Sequence, residues 1–283
     1  MFIRPALYSD RPSDSAVDSW RARGGSANPA TLRAMSNAMR YAREQGIFSK
    51  ISRLNFFCGN NLTSCMIPLI ANTTYGDASD TNVNFVAADF INSGRNGGLK
   101  GNGTTKYLRT GDTLAKHLAV GNNVMAIGAY LLAENSIASG EHYFMGSWTN
   151  TETLTVRRLR QFVGATNGQL GQLACQVSSP ADPPYNGANN LRVGMYQMAQ
   201  QSEGTASLWR NDTQIGSGVL SASMASSPFE IYVFAYNQND SPQNYSPMRL
   251  GGYYIGIGAW SVAQVLAMNT LWQVFQRTLG RIP

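Results

Sequence analysis

Residues 206–218 read ASLWRNDTQIGSG, in which two short strand candidates enclose a tight turn. The strand candidates are residues 206–210 and 214–218, and both carry apolar side chains among polar ones. Asn211 and Asp212 tolerate left-handed backbone dihedrals, so the residues between the strands suit a β-hairpin. The stretch therefore predicts two antiparallel neighbours in a β-sheet.

The same pattern covers most of the chain beyond residue 60. Gly, Asn, Ser and Thr separate short runs of Val, Ile, Tyr and Phe, which is typical of an all-β sandwich. Besides the hairpin, we predict strands at 82–90, 106–110, 124–133, 142–147, 154–163, 172–177, 191–198, 229–236 and 253–260. Within 229–236, alternation places Phe229, Ile231, Val233 and Ala235 on one face, and Glu230, Tyr232, Phe234 and Tyr236 on the other.

The N-terminal part of the chain has a different composition. Residues 1–28 are rich in Pro, Ser, Asp and Arg, so we expect an extended arm that stays loose or docks on a partner. Asn28 and Pro29 suit the start of a helix, because Asn caps free N–H groups and Pro fits the first helical position. Apolar residues follow at helical spacing, and a further helical turn is predicted at 47–54. Residues 29–60 are thus predicted to be a helical region.

The third predicted unit, residues 61–283, contains the strand candidates and ends in a helix at 261–279. Ser261 is a suitable N-cap, and an apolar stripe follows at helical spacing. Trp260 and Trp272 are assigned to packing in this part of the core. No run of about 18 uncharged apolar residues occurs, and the first ten residues lack an apolar segment. Neither a transmembrane helix nor a secretory signal is therefore predicted.

The charge and composition of the chain limit the kinds of partner that we expect. Charged residues are only 13% of the 283 residues, and the formal net charge is +6. Arg157, Arg158 and Arg160 form the dense basic cluster, with Arg158 and Arg160 on one face of a predicted strand. Aromatic and basic residues are not interleaved as in nucleic-acid-binding motifs, so we expect a solvated sheet face and no nucleic-acid partner.

Three cysteines, Cys58, Cys65 and Cys175, match neither a disulfide framework nor a zinc site. Cys58 and Cys65 are seven residues apart, and no histidine lies near them in sequence. We expect three small buried side chains, as is usual for free cysteine. A bridge between Cys58 and Cys65 stays open as the alternative.

Two loops offer oxygen ligands of the kind that calcium prefers. They are the loop with Asp77, Asp80 and Asn82 and the loop with Asn237, Asn239 and Asp240. Neither matches a complete calcium-loop consensus. Turn residues that make local backbone hydrogen bonds are the favoured interpretation, and no metal or cofactor is predicted.

Three segments carry short sequence motifs, and the order and spacing of these motifs along the chain are informative. They are residues 101–111, GNGTTKYLRTG, residues 206–212, ASLWRND, and residues 251–265, which hold a final strand and the start of a helix. Together they resemble concanavalin A-like (laminin G-like) jelly-roll domains, although Asp212 stands where that family usually has Gly. The resemblance implies a mainly β fold, a two-sheet antiparallel jelly-roll sandwich with a helical N-terminal region and a C-terminal helix.

A narrower resemblance extends over nearly the whole chain. Residues 53–62, RLNFFCGNNL, 75–86, YGDASDTNVNFV, and 97–103, GGLKGNG, are similar to proteins encoded by tailed bacteriophages, notably marine cyanophages. The resemblance implies a virion component made in the host cytoplasm: a tail fibre or spike part, or a capsid-surface decoration. The expected partners are other virion proteins, bound through the N-terminal arm and the first helix, and further copies in a homo-oligomer.

Signatures of an enzyme are missing from the sequence. Glucanases with the jelly-roll fold use an E-x-D-x-x-E strand that places two carboxylates on one face, and none of the six glutamates lies in that pattern. No Gly-x-Ser-x-Gly elbow accompanies the two histidines, His117 and His142. On a strand, Glu141 and His142 would face opposite sides. We therefore predict a protein without catalytic residues, and His142 is expected to be structural or exposed.

Aromatic rings and amide or carboxylate groups on loops are the features that suit sugar binding. The predicted ligand-binding residues are Trp148, Asn150, Tyr185, Asn186, Asn237, Asp240 and Tyr245. The favoured hypothesis is a non-enzymatic virion protein with a lectin-like domain that binds host-surface glycan. A pure capsid-decoration or tail-assembly protein is the alternative, and a glycan hydrolase or lyase is less favoured.

Overall fold

The computed structural model describes residues 13–121, 124–133, 140–148, 158–163, 172–176, 193–202, 205–219 and 228–283. The helices in these ranges are α1 Ser15–Ala22, α2 Pro29–Glu44, α3 Leu62–Cys65, α4 Leu114–Ala119 and α5 Val262–Thr278. The strands are β1 Ile51–Asn55, β2 Ile70–Ala71, β3 Thr81–Val83, β4 Phe90–Ile91, β5 Gly98–Lys100, β6 Tyr107–Thr113, β7 Met125–Ala133, β8 Gly140–Trp148, β9 Arg158–Val163, β10 Gln172–Gln176, β11 Gly194–Ser202, β12 Thr205–Arg210, β13 Thr213–Val219, β14 Glu230–Val233, β15 Tyr236–Gln238, β16 Ser241–Gln243 and β17 Arg249–Ile257.

The strands of the described ranges form two sheets. Sheet A has the order β13-β12-β11-β7-β17-β1-β2, with β5 on β17 and β4 on β5. Sheet B has the order β10-β9-β8-β14-β6-β3, with the β15–β16 hairpin attached to β8. Nearly all neighbours are antiparallel; β15 runs parallel to β8. The prediction of a mainly β, two-sheet antiparallel jelly-roll sandwich is confirmed.

The inward faces of the two sheets form the main core. Sheet A contributes Ile127 and Ile255, and sheet B contributes Leu108, Phe144 and Val233, each fully buried. Side chains alternate along a strand, so every second residue of these strands enters this core. On β6 and β14, the residues between the core positions are thereby placed on the outer face of sheet B.

A second core lies between the outer face of sheet A and the helices. Tyr130 of β7 and Tyr254 of β17 meet Trp272 of α5 and Met35 of α2 in this layer. Strands β7 and β17 are therefore buried on both faces, which explains their nearly continuous apolar sequences. The packing role predicted for Trp260 and Trp272 is confirmed, since both are fully buried here.

The prediction of an extended arm over residues 1–28 is wrong from Ser15 onward, where α1 forms. Residues 1–12 lie outside the described residues. Asp14 caps α1 by accepting from the backbone N–H of Ala16 at 2.9 Å. Trp20 is 1% exposed, and its indole N–H donates to the carbonyl of Ile67 at 2.8 Å. Burial of this large ring gives α1 a stabilising contact that the polar composition of the segment does not indicate.

The helical turn predicted at 47–54 is also corrected. A short 3-10 turn, Phe48–Lys50, leads into β1, which lies between β17 and β2 in sheet A. Ile47, Ile51 and Leu54 have helical spacing, but long-range pairing outweighs this local pattern. Sheet residues Arg53 and Asn55 are buried together with Asp80, so a polar cluster accompanies the strand.

Two predicted strands are interrupted by left-handed residues. The strand at 82–90 ends after β3 because Asn84 has φ 65°, and a 3-10 turn, Ala87–Asp89, precedes β4. The strand at 229–236 breaks at Phe234, which has φ 68° and turns its ring into the core beside Val233. The alternation predicted Phe234 on the same face as Tyr232, opposite to Val233, and this prediction fails after Val233.

Other local predictions are confirmed. Helix α2 begins after Asn28, whose side chain accepts from the backbone N–H of Thr31 at 2.8 Å. The hairpin of β12 and β13 turns at Asn211, with φ 54°. Ser261 caps α5 in a capping box with Gln264. Cys58 and Cys65 are free and buried, whereas Cys175 lies in β10.

Candidate functional site

The outer face of sheet B carries a group of tyrosines and charged residues. In the register of β14 and β6, Tyr232 lies opposite Arg109, and Val233 lies opposite Leu108. Val233 and Leu108 belong to the main core. Alternation therefore places Tyr232 and Arg109 on the outer face, away from the core.

Three tyrosine rings meet on this face. The ring centroids of Tyr107 and Tyr232 are 4.8 Å apart with a tilt of 44°, and those of Tyr107 and Tyr245 are 6.0 Å apart at 66°. Tyr232 is 1% exposed, whereas Tyr107 and Tyr245 are half-buried. We call the set of Tyr107, Arg109, Tyr232, Asp240 and Tyr245 the tyrosine face. Its accessible aromatic surface comes from Tyr107 and Tyr245.

The β15–β16 hairpin brings a carboxylate to the tyrosines. Asn239 and Asp240 both have positive φ, at 52° and 63°, so the chain turns sharply here. Asp240 is exposed, and it accepts a hydrogen bond from the Tyr232 hydroxyl at 3.1 Å. Burial and the neighbouring Asp240 carboxylate raise the pKa of Tyr232 well above its usual range. The hydroxyl therefore keeps its proton and holds Asp240 in place.

An ion pair of Arg109 and Glu230 borders the tyrosines. Arg109 donates to Oε1 of Glu230 through Nε, at 3.1 Å, and through Nη2. The other oxygen of Glu230 accepts from the backbone N–H of Gly111 at 2.9 Å. The hydrogen bond to Glu230 raises the pKa of Arg109. The Arg109 side chain is 42% exposed, and its Nη1 has no hydrogen-bond partner among the described residues.

This arrangement has the chemistry of a polar-ligand site. A half-exposed aromatic ring can stack on the C–H face of a sugar, while nearby polar groups fix its orientation through the hydroxyls. The Asp240 carboxylate can accept hydrogen bonds from hydroxyls, and the Arg109 guanidinium can donate them. Glu230 is held by Arg109 and Gly111, so it has a structural role in the site.

The structure brings only some of the seven predicted ligand-binding residues together. Asp240 and Tyr245 lie together on the tyrosine face. Asn237 is fully buried in β15; its Nδ2 donates to the carbonyl of Glu230 at 3.1 Å, and its Oδ1 has no partner among the described residues. Trp148 ends β8, where its backbone lies opposite Gln238. The other three, Asn150, Tyr185 and Asn186, lie outside the described residues.

Sequence reasoning did not assign four residues to the site: Tyr107, Arg109, Glu230 and Tyr232. A usable signal was present, because alternation from the core residue Leu108 places Tyr107 and Arg109 on the opposite face. The same reasoning applies to Glu230 and Tyr232 around Ile231. Pairing β6 with β14 was the missing step.

In the first of the two loops with oxygen side chains, two of the three candidate calcium ligands make internal contacts. Asp80 is buried against Arg53, Tyr253 and Asn55, and Asn82 binds the backbone of Phe85. Within the described ranges, no group of three or more His, Cys, Asp or Glu side chains is arranged to hold a metal ion.

The histidine of β8 anchors one of the site's loops. Nδ1 of His142 lies 2.8 Å from the carbonyl oxygen of Tyr245, and the side chain is half-buried. The backbone N–H of Tyr143 also donates to the carbonyl of Asn244 at 3.1 Å. These contacts attach the segment that carries Tyr245 to sheet B, in agreement with the structural role predicted for His142.

No protein-family model matches the chain, and no curated protein matches it either. Solved structures do match. Domain 4 of the extracellular arabinanase AbnA from Geobacillus stearothermophilus, solved in complex with arabinotriose, is 16% identical with a TM-score of 0.52. The alignment covers 78% of this chain and 98% of that domain.

Two further matches are larger proteins. A structure of botulinum neurotoxin type C, described as dependent on two ganglioside molecules for cell entry, is 10% identical with a TM-score of 0.54, covering 80% of this chain and 51% of that one. A Trypanosoma rangeli sialidase mutant displaying trans-sialidase activity is 10% identical with a TM-score of 0.52, covering 86% and 39%. This chain thus spans about half of the toxin structure and less than half of the sialidase. At these identities the likeness establishes the β-sandwich fold.

Among the described residues, no helix, α5 included, is long and apolar enough to span a membrane.

Proposed function

We propose that this protein is a non-enzymatic carbohydrate-binding β-sandwich domain that holds its ligand on the tyrosine face. The observation that carries the proposal is the contact of Tyr107 with Tyr232 and Tyr245, beside the exposed Asp240 carboxylate. The three similar structures support it, since their descriptions name arabinotriose, gangliosides and sialidase activity.

The contacts and exposure of the carboxylates on the tyrosine face are consistent with a binding role without catalysis. Glycoside hydrolysis in most families needs two carboxyl groups free to act as acid and as base or nucleophile. On this face Glu230 is engaged by Arg109 and Gly111, which leaves Asp240 as the accessible carboxylate. One accessible carboxylate suits hydrogen bonding to hydroxyls and does not supply the second catalytic group.

The finer proposal is a component of a bacteriophage virion, in a tail fibre or spike or on the capsid surface. The motifs at 53–62, 75–86 and 97–103 support it, as does the low charged fraction of 13%, which suits assembly interfaces. We propose that the N-terminal segment, residues 1–28, and α2 contact other virion proteins. Copies in a homo-oligomer would then bind host-surface glycan with an avidity greater than that of each site.

A glycan array tests the binding function. The wild-type chain, tetramerised through a biotin tag, is expected to bind bacterial surface glycans, and Tyr107→Ala is expected to weaken binding about tenfold or more because the stacking ring is lost. Tyr41→Ala is the matched control, since Tyr41 is a half-buried tyrosine on α2, in the helical layer. Wild-type binding to no glycan would contradict the proposal and favour an assembly protein without a glycan site.

Mass spectrometry of purified particles tests the virion location. Peptides of the chain are expected at a stoichiometry of several copies per particle, and a cryo-EM map should show the N-terminal segment, residues 1–28, and α2 against a neighbouring protein. Purified particles without these peptides would contradict the virion proposal and leave the glycan-binding proposal unaffected.

A further inference from the structure

The Asp240 carboxylate on the tyrosine face has one oxygen to which no described residue donates a hydrogen bond. Its Oδ1 accepts from the Tyr232 hydroxyl at 3.1 Å, and its Oδ2 is left without a donor among the described residues. Asp240 is exposed, and its place is fixed by this hydrogen bond and by the turn of the β15–β16 hairpin, where its φ is 63°. A carboxylate oxygen is therefore held at the surface, ready to accept from a ligand.

The tyrosine face, taken together with Glu230, carries an excess of negative charge. Arg109 and Glu230 form an ion pair, in which the guanidinium donates to Oε1 of the carboxylate through Nε and Nη2. Burial raises the pKa of each of the three tyrosine hydroxyls, so they stay neutral. At Tyr107 the Arg109 charge opposes this rise in pKa and the Asp240 charge adds to it. With histidine counted as neutral, the uncompensated charge is that of Asp240.

The relative orientation of the two accessible rings suits a small cation beside a sugar. The ring planes of Tyr107 and Tyr245 differ by 66°, so one flat sugar ring cannot lie parallel to both. An ammonium group is compact, and it is attracted when it lies over the face of one aromatic ring within about 6 Å of the centroid. A sugar that stacks on one ring can therefore place an attached ammonium group against the other.

From the exposed carboxylate beside these rings we infer that the ligand is a glycan with protonated amino groups, and that Asp240 binds such a group. The inference rests on the proposed function of the tyrosine face. The ammonium group donates to Oδ2 of Asp240 in a charge-assisted hydrogen bond, which is stronger than a hydrogen bond between neutral groups. The negative π-faces of the tyrosines attract the same positive charge.

An acidic glycan or a nucleic acid fits this face less well. Its carboxylates or phosphates would meet the charge of Asp240, whereas the charge of Arg109 is already engaged by Glu230. The whole chain has a formal net charge of +6, which does not reverse this preference. At physiological ionic strength, exposed charges more than about 8 Å away are largely screened, whereas a hydrogen-bonded ion pair is not.

The test uses an array of amino-sugar polysaccharides with free amines, each printed beside its N-acetylated counterpart, with polylysine as a further probe. Acetylation turns the ammonium group into a neutral amide and leaves the backbone of the polymer unchanged. At mildly acidic pH, where the amines are protonated, the tetramerised wild-type chain is expected to prefer the free-amine member of a pair about tenfold or more. The Asp240→Asn variant is expected to lose that preference.

The Asp240→Asn change removes the charge and retains the shape of the side chain. Asn tolerates the positive φ of this position, and its side-chain oxygen can still accept from the Tyr232 hydroxyl. Asp212→Asn is the matched control and should keep the preference, since Asp212 is also an exposed turn residue, between β12 and β13 of sheet A.

Far-ultraviolet circular dichroism verifies that each variant is folded. Should the Asp240→Asn variant not fold, the wild type decides alone, because binding to the free-amine polymer must weaken with added NaCl far more than binding to the acetylated polymer.

The outcomes separate the amine preference from the function on which it rests. Equal binding to free-amine and acetylated polymers, or tighter binding to the acetylated ones, overturns the inference while the proposed glycan binding stands. An unchanged preference in the Asp240→Asn variant overturns the assignment to Asp240. Binding to polylysine as tight as to the free-amine polymers overturns the inference in favour of a general site for cationic polymers. Binding to no glycan overturns the proposed function, and the inference falls with it.

Discussion

The Arg53 guanidinium meets a single oxygen of Asp80, Oδ1, through Nε at 3.1 Å and through Nη2 at 2.6 Å. Both side chains are buried, at 1% and 0% exposure. The same Oδ1 accepts from the Tyr253 hydroxyl at 2.6 Å, and Oδ2 accepts from Asn55 at 2.8 Å. The cluster joins β1 and β17 to the loop that precedes β3. Because its polar atoms are paired, the cluster can lie inside the sandwich without an uncompensated charge.

Replacing one partner of this cluster should be costly. Asp80→Asn leaves the Arg53 charge buried without a counter-charge, and the free energy of unfolding is expected to fall by about 3–5 kcal/mol. Urea denaturation followed by tryptophan fluorescence measures the change. Asp77→Asn is the control, because that side chain is exposed in the same loop and only its backbone carbonyl accepts from Arg53. Equal destabilisation by the two changes would contradict the assigned role of the ion pair.

The stability of the protein should fall at alkaline pH partly because of Cys58. Burial raises the pKa of this thiol from 9.0 to about 12, with Arg281 opposing the shift. Between these values the folded state keeps the proton and the unfolded state loses it, so the free energy of unfolding decreases as pH rises from about 9 toward about 12. Each pH unit costs about 1.4 kcal/mol for one such proton.

Measurement at pH 8 and pH 10 isolates this contribution. Cys58→Ala is expected to lose less stability over this interval than the wild type, by on the order of 1 kcal/mol, whatever its stability at pH 8. Urea titrations at the two pH values give the difference. An identical pH slope in both proteins would show that the folded thiol ionises near its ordinary pKa.

Asn102 organises the turn that leads into β6. Its Oδ1 accepts from the backbone N–H groups of Thr104, Thr105 and Lys106 at 3.0, 2.9 and 3.1 Å. Asn102→Ala should lower the free energy of unfolding by about 1 kcal/mol, a modest value because the turn is exposed and water can replace the acceptor. Asn102→Asp keeps the acceptor and is expected to restore most of the loss in the same denaturation assay. Failure of this rescue would contradict the capping role.

The hydroxyl of Tyr232 should matter for both stability and binding. Tyr232→Phe removes the donor that holds Asp240, with an expected cost of about 1 kcal/mol in unfolding free energy. It should also weaken glycan binding several-fold, because Asp240 is no longer positioned. Tyr107→Phe is the matched control, since no described residue accepts from the Tyr107 hydroxyl. If both variants behave alike on the array, positioning of Asp240 by Tyr232 is excluded.

Local sequence signals were sufficient to predict several structural elements. Asn28 and Ser261 cap their helices, and Asn211 turns its hairpin, because each interaction involves residues within a few positions. The alternation around Leu108 and Ile231 likewise belongs to single strands. Such elements were predictable without knowledge of their neighbours in space.

Long-range contacts account for the places where the structure differs from the sequence-based predictions. Ile51, Leu54 and their neighbours have helical spacing, yet they form β1 because β17 and β2 offer strand edges on both sides. Trp20 stabilises α1 through a carbonyl 47 residues away. Phe234 adopts a positive φ that its residue type disfavours, because the core beside Phe57 and Phe85 accepts its ring.

The amino-acid order alone was enough for the β-sandwich class, the caps and turns, and two of the residues on the tyrosine face, Asp240 and Tyr245. Their joining to Tyr107, Arg109 and Tyr232 required the pairing of β6 with β14, strands that lie about 120 positions apart in the chain. The alternation of side chains indicates which face of a strand a residue occupies. Which strands pair with each other in a sheet is determined by the packing of the whole sandwich. The site exists only where those pairings bring distant strands together.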